Sequence, residues 1–515
     1  MVSTQAASTT EAPRGTTRRP RPWRAFALAF LGISLVSGAW AVTTPLGVSP
    51  DEPAHLVKAA SVVRGELLGD RTDNPQVRDV DVPAGVASTL DAQCVRESVD
   101  TTADCVPDVP ASADRLVEAP TSAGLYNPVY YVLVGWPTLF GGGEAAMYGV
   151  RLVSALLCSA FLAGAVAFLT LLRRPALPVL ASIATLTPTT YFLAASVNPN
   201  AFEVATTAAF ASGLAVALLG ERPAGWGTVA WLLASGGLLV HARGLSPLWL
   251  GVVVVVLVLL AGVDSVVRVL LRTRVVVAVV GVAVSTVLAG AWTVLSASLP
   301  AVGTYPGQGT SPAAGLLEML ERTFDYGADL VGRFGWLDTP APSYVLFAYA
   351  VGVGSLVLAA CLLPAPTRQA RAALLVALAG LVLVPAVVQA ATVTRSGYVW
   401  QGRYNLPAYV LVVLVAALLV APAFDALSAR LRGRVVLLAA VAVGAASFAS
   451  LVTFLARNSV GASSSWSALV RSPAWSPPVG STLAWVAVCL LVSVALAAVV
   501  AVVARTAVRT GERVA

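Results

Sequence analysis

The sequence predicts an all-α polytopic membrane protein with about 12 transmembrane helices, within a range of roughly 11 to 13. Of its 515 residues, 57% are hydrophobic and 11% are charged, which is too little charge to cover a soluble protein of this length. Apolar runs such as 26–42, 275–294 and 483–503 approach or reach the roughly 20 residues that a helix needs to cross a bilayer. The runs are long and do not alternate as barrel strands do, so the spans are predicted to be helices.

Arginine clusters set the predicted orientation, because short cytoplasmic loops are enriched in Lys and Arg. The net charge of +7 is therefore interpreted as a set of topology signals, and no nucleic-acid partner is predicted. Residues 1–24 are rich in Ser, Thr, Pro and Arg and are predicted to be a disordered cytoplasmic N-terminus, followed by one transmembrane domain over 25–505 and a cytoplasmic tail over 506–515. The spans are predicted at about 25–45, 144–172, 175–196, 199–219, 224–241, 245–262, 275–297, 343–363, 372–393, 404–422, 435–456 and 481–505.

With both termini in the cytoplasm, three larger loops are predicted outside the cytoplasmic membrane, at 46–124, 298–342 and 457–480. The first two are expected to carry helices that lie on the membrane surface, because apolar residues recur there at helical spacing. These residues are Leu56, Ala59, Ala60, Val63 and Leu67, opposite Lys58, Ser61 and Arg64, and then Leu317, Leu320, Phe324 and Val331. The apolar stretch 126–140 is short and contains two prolines, so an interfacial or re-entrant element is predicted there.

The five cysteines form two groups according to whether they lie in apolar spans or in a loop. Cys158, Cys361 and Cys489 lie within apolar spans and are interpreted as small core residues. Cys94 and Cys105 both lie in the first outer loop, where an oxidising compartment favours a disulfide between them.

Two adjacent carboxylates, Asp51 and Glu52, directly follow the first span and are the predicted catalytic residues. Such a carboxylate could take a proton from an attacking hydroxyl, or could bind a divalent metal ion through oxygen. The alternative is structural, because acids in the first turn of a helix are favoured by capping and by the helix dipole.

Arg403 is predicted to bind a phosphate, since a guanidinium fork matches phosphate oxygens and the preceding Gly402 lets backbone approach an anion. The alternative is an arginine that extends to lipid headgroups. Arg333 and Tyr404 are predicted to share the phosphate-binding role. The remaining site candidates at the outer boundary are His55, Asn127, Asn198, His241, Arg243, Asp338 and Gln401.

Two further charged residues, Arg151 and Glu203, lie inside apolar segments near the outer boundary. Opposite charges at similar depth suggest either an ion pair or ligand contacts. The chain contains no Walker motif, dinucleotide-binding glycine pattern, zinc-ligand spacing or serine nucleophile elbow. Soluble nucleotide-driven chemistry is therefore not expected.

Several motifs together resemble the bacterial multi-pass membrane family DUF2142, over roughly residues 25–455. That family resembles the GT-C glycosyltransferases, so a GT-C-like fold and sugar transfer from a polyprenyl phosphate carrier are expected. The motifs are Asp51-Glu52-Pro53-Ala54-His55, Tyr126-Asn127-Pro128-Val129-Tyr130-Tyr131, Asn198-Pro199-Asn200, Gly332-Arg333-Phe334-Gly335-Trp336-Leu337-Asp338 and Gln401-Gly402-Arg403-Tyr404.

The resemblance implies roles for particular residues. Asp51, with Glu52 as second candidate, would be the base or the acid associated with Mg²⁺ or Mn²⁺, and Arg403 would hold the carrier phosphate. The implied partners are a lipid-linked sugar donor, a cell-envelope glycan or other acceptor, and the membrane lipids. Inversion at the anomeric carbon is expected.

A different class of function, a transporter or flippase for lipid-linked saccharides or a non-enzymatic assembly factor, remains the alternative. Transporters tend to place ionisable residues near the middle of the membrane and often show repeated halves. Here the informative charges collect at one boundary and no duplicated half is apparent, which favours the enzyme.

Overall fold

The computed structural model describes residues 22–96, 98–298 and 305–511. This part of the chain is mostly helical. The α-helices are α1 (Pro22–Thr43), α2 (Glu52–Val62), α3 (Ala84–Ala87), α4 (Val129–Gly135), α5 (Glu144–Leu169), α6 (Ala176–Ala184), α7 (Pro188–Ala194), α8 (Pro199–Leu219), α9 (Trp226–Val240), α10 (Ser246–Ala261), α11 (Val263–Leu270), α12 (Thr273–Leu295), α13 (Pro312–Glu321), α14 (Thr323–Val331), α15 (Ser343–Leu362), α16 (Arg368–Ser396), α17 (Leu406–Asp425), α18 (Ala429–Val460), α19 (Trp466–Arg471) and α20 (Thr482–Gly511). The strands are β1 (Asp70–Arg71), β2 (Arg78–Pro83), β3 (Leu116–Thr121), β4 (Arg333–Phe334) and β5 (Thr339–Pro340).

Nine helices in the described ranges are long and apolar enough to cross a membrane, and the number reaches eleven if each of two bent pairs counts as one span. The bent pairs are α6 with α7, at 65°, and α10 with α11, at 110°. The remaining predicted span, 224–241, corresponds to α9, which has only 15 residues. A polytopic helical membrane protein is thus confirmed, and a helix stands at each of the twelve predicted positions.

Helix α8 lies at the centre of the bundle and is built mainly from small residues. It packs against α5, α9 and α10. Small side chains let neighbouring helices approach closely, which is the main source of helix association in a lipid environment. One example is the Trp231 indole, which occupies space that a Cβ at Gly164 or Gly213 would fill.

The two ends of the bundle differ in composition. One end, here called the loop end, carries the described segments 44–96, 98–143, 296–298, 305–342 and 461–481, which hydrogen-bond to one another or to helix ends beside them. The opposite end carries the arginine-rich junctions, where Arg174 lies 3.9 Å from Asp425. Predicted outer loops therefore meet at one end, as the alternation of spans requires.

The first loop contains a small antiparallel sheet that the all-helical prediction missed. Its order is β1-β2-β3, and Arg78 pairs with Thr121 while Pro83 pairs with Leu116. Strand β2 alternates valine with aspartate, which is the period-two pattern of a half-buried strand. The predicted disulfide between Cys94 and Cys105 is present, with the two Cα atoms 6.2 Å apart.

Helix α2 exists where a helix was predicted, but it does not lie on a surface. Almost all of its residues are buried, including the predicted polar face at Lys58 and Ser61. The Lys58 ammonium donates to the carbonyl oxygens of Leu67, at 2.5 Å, and Gly124, at 2.6 Å. Burial lowers the pKa of Lys58 to about 7. The surface prediction was wrong because hydropathy does not show that neighbouring loop backbone would supply partners for a buried ammonium.

The second loop forms α13 and α14, and its predicted apolar face was partly wrong. Leu317 and Phe324 are exposed, whereas Met319, Tyr326 and Leu330 are buried. The buried side chains pack toward α16 and the segment before α17, so the core of this loop is set by contacts distant in sequence.

The stretch 126–140 and the two ends of the transmembrane domain can also be compared with the predicted boundaries. The stretch 126–140 contains a short helix, α4, extended by a 3₁₀ helix, Trp136–Phe140, which pack on α2 and α5. Residues 22–24, predicted to be disordered, begin α1, while residues 1–21 lie outside the described ranges. At the other terminus α20 continues to Gly511.

Candidate active site

Asp51 lies in the turn between α1 and α2 with a backbone conformation that few residues other than glycine adopt. Its φ is 62°, and its carboxylate does not cap α2. A left-handed residue of this kind costs about 1–3 kcal/mol and persists only where its surroundings fix it. Asn198 contributes through a 3.0 Å hydrogen bond from Nδ2 to the Pro50 carbonyl oxygen. The turn leaves the Asp51 side chain 48% exposed at the loop end.

The partner of Asp51 is Arg403, which lies in a 3₁₀ helix, Gly402–Asn405, immediately before α17. Arg403 Nη2 donates to Asp51 Oδ2 over 2.5 Å. The Arg403 side chain is only 3% exposed, yet its Nε and Nη1 make no hydrogen bond to any described residue. Leaving a buried donor unpaired costs about 1–3 kcal/mol. A buried guanidinium with open donors beside a carboxylate is therefore suited to bind an anion with several oxygens.

Gly402 allows the Arg403 segment to contact the second loop closely. A Cβ at position 402 would lie 2.3 Å from Asp329 Cβ and 3.0 Å from the Tyr326 carbonyl oxygen. Asp329 also accepts a 2.8 Å hydrogen bond from Arg333 Nε. The two predicted phosphate-binding arginines, Arg333 and Arg403, are thereby placed on neighbouring elements.

A second arginine, Arg243, adds positive charge beside Tyr404. The guanidinium carbon of Arg243 lies 4.2 Å from the centroid of the Tyr404 ring, and that of Arg403 lies 5.4 Å from it. Glu203 approaches Arg243 to only 3.7 Å, which is too long for a hydrogen bond. The tyrosine ring is therefore close to two arginines, each of which has a carboxylate partner.

His55 lies on the first turns of α2 and is a neutral imidazole at neutral pH. Its Nδ1 is 2.8 Å from the Tyr131 hydroxyl, and the edge of its ring contacts Tyr126. Burial lowers the pKa of His55 to about 4; the charge of Asp51 raises it, and those of Arg243 and Arg403 lower it further. His55 is thus a buried, neutral hydrogen-bonding side chain that contributes no positive charge at neutral pH.

Asp51 itself is ionised. Burial raises its pKa, but the charges of Arg403 and Arg243, and that of His55 once it is protonated at low pH, together lower it more, so the pKa lies below the ordinary 3.8. The carboxylate can therefore accept a proton at neutral pH, and it remains bound to Arg403 until another anion competes.

Glu52, predicted as the second catalytic and metal-binding residue, has a different environment. It is fully buried, and its two oxygens accept from Arg151 Nε at 2.7 Å and Nη2 at 2.5 Å. The backbone amide of Val197 also donates to Glu52 Oε1, at 3.1 Å. Glu52 has no access to a ligand, so its role is structural, but as the partner of a buried arginine and not as the helix cap that was the predicted alternative. The suggested pairing of Arg151 with Glu203 is also wrong, because Arg151 pairs with Glu52.

The residues present do not form the predicted divalent metal site. No group of three or more His, Cys, Asp or Glu side chains within the described ranges converges as metal ligands. Of the two predicted ligands, Asp51 is bound to Arg403 and Glu52 is enclosed by Arg151.

Three other predicted residues lie around this cluster in supporting positions. His241 uses both ring nitrogens, at 2.9 Å from Asn127 Nδ2 and 3.1 Å from Ser285 Oγ. Gln401 adjoins Arg403, and its buried Oε1 has no hydrogen-bond partner among the described residues. Gln401 therefore adds an open acceptor to the open donors of Arg403.

Asp338 has a different partner from the other predicted residues. Its Oδ2 accepts from Arg457 at 2.7 Å for Nη2 and 3.1 Å for Nε. Arg457 was not singled out in the sequence. The sequence did contain a signal for Arg457, because it is an arginine near the outer end of an apolar span, and the same feature was used to select Arg403.

Gln389 is a second residue that the sequence did not reveal as part of the site. Its Oε1 accepts from the amides of Val399, at 3.0 Å, and Trp400, at 2.9 Å, and its Nε2 donates to the Gly397 carbonyl oxygen at 2.8 Å. These bonds fix the segment that leads to Arg403. A lone glutamine inside the apolar helix α16 was the available signal.

Comparison with known proteins gives a family and a fold likeness. The family described as predicted membrane protein (DUF2142) matches residues 34–412, more than half of the chain, which confirms the resemblance seen in the motifs. The crystal structure of ArnT from Cupriavidus metallidurans bound to undecaprenyl phosphate is similar, with 17% sequence identity, a TM-score of 0.44, and coverage of 94% of this chain and 77% of that chain. For the apo structure of ArnT the values are 15%, 0.43, 95% and 78%. No curated protein matches the sequence.

Proposed function

The chain belongs to the DUF2142 family of membrane proteins, and we propose that it is a glycosyltransferase that moves a sugar from a polyprenyl-phosphate-type donor to a cell-envelope acceptor. The observation that supports the proposal is the Asp51–Arg403 pair: a half-exposed carboxylate bound to a buried arginine that has two open donors. Sugar transfer from a phosphate needs a base for the acceptor hydroxyl and positive charge for the leaving phosphate. This pair supplies both in one place.

The proposed chemistry is a single displacement at the anomeric carbon. Asp51 accepts the proton of the acceptor hydroxyl while the oxygen of that hydroxyl bonds to the anomeric carbon. The bond from that carbon to the phosphate oxygen breaks, and its electron pair stays on the phosphate. Arg403 donates to the departing phosphate, and Arg243 adds positive charge nearby. Attack and departure occur on opposite faces of the sugar, so the anomeric configuration is inverted.

The same ion pair couples donor binding to the strength of the base. Without donor, Arg403 helps to hold the pKa of Asp51 below its ordinary value. A phosphate that accepts from Arg403 weakens its attraction for Asp51 and brings negative charge close, and both changes raise the pKa of Asp51. Asp51 thus becomes a stronger base when the donor is bound.

We place the reaction at the outer face of the cytoplasmic membrane, with both termini in the cytoplasm. The support is the distribution of charge: Asp51, Arg403 and Arg243 lie at the loop end, whereas the arginine-rich junctions lie at the opposite end. A transporter would be expected to carry its ionisable residues near the middle of the membrane.

The test is Asp51→Asn in vesicles that contain the purified protein and a pool of radiolabelled polyprenyl-phosphate sugars. Removing a general base lowers a rate by about 10²–10⁴-fold, so we expect sugar transfer to acceptor to fall by that factor. Asp81→Asn, an exposed aspartate on β2, is the matched control and should transfer at the wild-type rate.

Two results would contradict the proposal. One is undiminished transfer by Asp51→Asn with normal expression and folding. The other is movement of the labelled lipid-linked sugar across the vesicle membrane without transfer to any acceptor, which would indicate a flippase.

A further inference from the structure

A cavity of about 410 Å³ lies at the loop end, and none of the residues proposed to bind phosphate lines it. Its walls come from Val99 in the first loop, from Thr339 and Pro340 on β5, from one face of α18, and from the segment 461–466. The volume is within the range of about 300–1,000 Å³ that small-molecule sites occupy. Three loops far apart in the sequence thus enclose one space.

The walls of this cavity are fixed by buried polar contacts. Arg457, which is 3% exposed, binds Asp338 and donates to the carbonyl oxygens of Val95, at 2.7 Å, and Thr101, at 2.8 Å. Val95 and Thr101 lie in the segment of the first loop that the disulfide braces. The cavity is therefore present before a ligand arrives, which reduces the entropy lost on binding.

A second set of contacts joins the first loop to the segment after α18. Asp100 accepts from the Ser463 amide at 2.7 Å and from Ser463 Oγ at 2.9 Å. The Ala462 amide donates to the Val99 carbonyl oxygen at 3.1 Å. Gly461 has φ 84°, and a Cβ there would lie 2.8 Å from the Asp100 carbonyl oxygen. The turn that carries Trp466 into the wall is thereby held against the first loop.

The chemistry of the walls matches a saccharide. Trp466 offers an exposed indole, Ser464 and Ser465 offer hydroxyl groups, and the partly exposed Asp338 offers a carboxylate. Among the described residues, Asp338 Oδ1 accepts only from Thr339 Oγ1, at 3.0 Å, so it retains capacity for a ligand hydroxyl. A sugar ring presents C–H groups on its faces and hydroxyls at its edges, and needs both an aromatic surface and polar acceptors. An acyl chain would gain nothing from the carboxylate and would bury it at a cost.

One hairpin connects the cavity to the proposed active site. Strands β4 and β5 pair so that Arg333 is opposite Pro340 and Phe334 is opposite Thr339. Thr339 and Pro340 line the cavity, while Arg333 is bound to Asp329, which packs against Gly402 beside Arg403. A saccharide in the cavity would therefore lie across a two-stranded hairpin from the phosphate-binding arginines.

We propose that this cavity binds a saccharide. If the proposed transfer reaction is correct, the bound saccharide is the part of the acceptor that neighbours the hydroxyl to which the new sugar is attached. The saccharide site itself depends only on the walls described above. Its role as acceptor site depends on the function proposed for Asp51 and Arg403.

Saturation-transfer NMR on the full chain in lipid nanodiscs tests the site, with a pool of short soluble oligosaccharides released from bacterial cell wall as the probe. We expect transfer of saturation to sugar protons and an affinity that falls by about tenfold or more in Trp466→Ala. Trp466→Phe should restore much of the binding because it keeps an aromatic face. Trp226→Ala is the matched control: Trp226 is 57% exposed and Trp466 63%, but Trp226 begins α9 away from the cavity.

Ala456→Trp, which fills the cavity from α18, is a second variant that leaves Trp466 in place. Loss of sugar binding in both Trp466→Ala and Ala456→Trp supports the site. Three results would overturn the site: no oligosaccharide binding by the wild-type protein, unchanged binding in both variants, or a phospholipid in the cavity that Ala456→Trp displaces. Asp51→Asn should lower sugar transfer by about 10²–10⁴-fold but retain oligosaccharide binding, so failure of the proposed function and failure of this site give different results.

Discussion

Asp51 and Glu52 are neighbours in the sequence and each pairs with an arginine, yet the two pairs have opposite character. Arg151 makes five hydrogen bonds, two to Glu52 and three to backbone carbonyl oxygens, and both side chains are fully buried. Arg403 makes one, to a half-exposed Asp51. A guanidinium has five N–H donors, so Arg151 is satisfied and Arg403 is not.

This contrast distinguishes an ion pair that stabilises the fold from an ion pair that can bind a ligand. The Glu52–Arg151 pair ties the start of α2 to the end of α1 and to α5, and it has no remaining capacity for a ligand. The Asp51–Arg403 pair spans 352 positions and keeps open donors. The type of residue is the same in both pairs, so the completeness of hydrogen bonding is what distinguishes their roles.

The largest expected effect is on stability, from Glu52→Gln. The substitution leaves Arg151 as an uncompensated buried charge, so we expect the free energy of unfolding to fall by about 3–5 kcal/mol. Asp51→Asn is the matched control one residue away and should lower it by less, because the Asp51 side chain is itself half exposed whereas Glu52 is fully buried. Unfolding by SDS titration from detergent micelles measures both. Equal losses in the two variants would remove the distinction between the pairs.

An intermediate effect is expected on donor binding, from Arg403→Lys. Lysine keeps the positive charge but loses the planar fork that the open Nε and Nη1 provide. We expect the affinity for a short-chain polyprenyl monophosphate to fall by about 1.5–3 kcal/mol. Native mass spectrometry of the protein–lipid complex measures this change. Arg395→Lys, an exposed arginine close in sequence, is the control, and an equal loss in that variant would point to general electrostatic attraction.

The smallest expected effect is that of pH on His55. Its pKa of about 4 in the folded chain means that no protonation occurs between about pH 5 and 8. The unfolded chain binds a proton near pH 6.5 while the folded chain does not, so this residue lowers stability as pH falls from 6.5 toward 4. Histidine NMR is practicable because the chain contains only two histidines, and His241→Asn identifies the signal. A His55 titration near pH 6.5 would show that the imidazole is exposed.

Loop structure shows where prediction from the sequence succeeds and where it fails. The disulfide between Cys94 and Cys105 followed from their shared loop, and the helix at α2 followed from apolar spacing. The surface position of α2 was wrong because Lys58 finds buried carbonyl partners at Leu67 and Gly124. Hydropathy reports the cost of burying an ammonium, but not the backbone acceptors that offset it.

The sequence by itself determined that this chain is a helical membrane protein and that its informative polar residues follow particular spans, because hydropathy and arginine distribution act locally along the chain. Only the tertiary structure decided which arginine each carboxylate meets. Arg151 is 99 positions from Glu52 and Arg403 is 352 from Asp51. Such pairings depend on how α1, α5 and α17 pack, and a one-residue step along α2 sends neighbouring side chains in different directions.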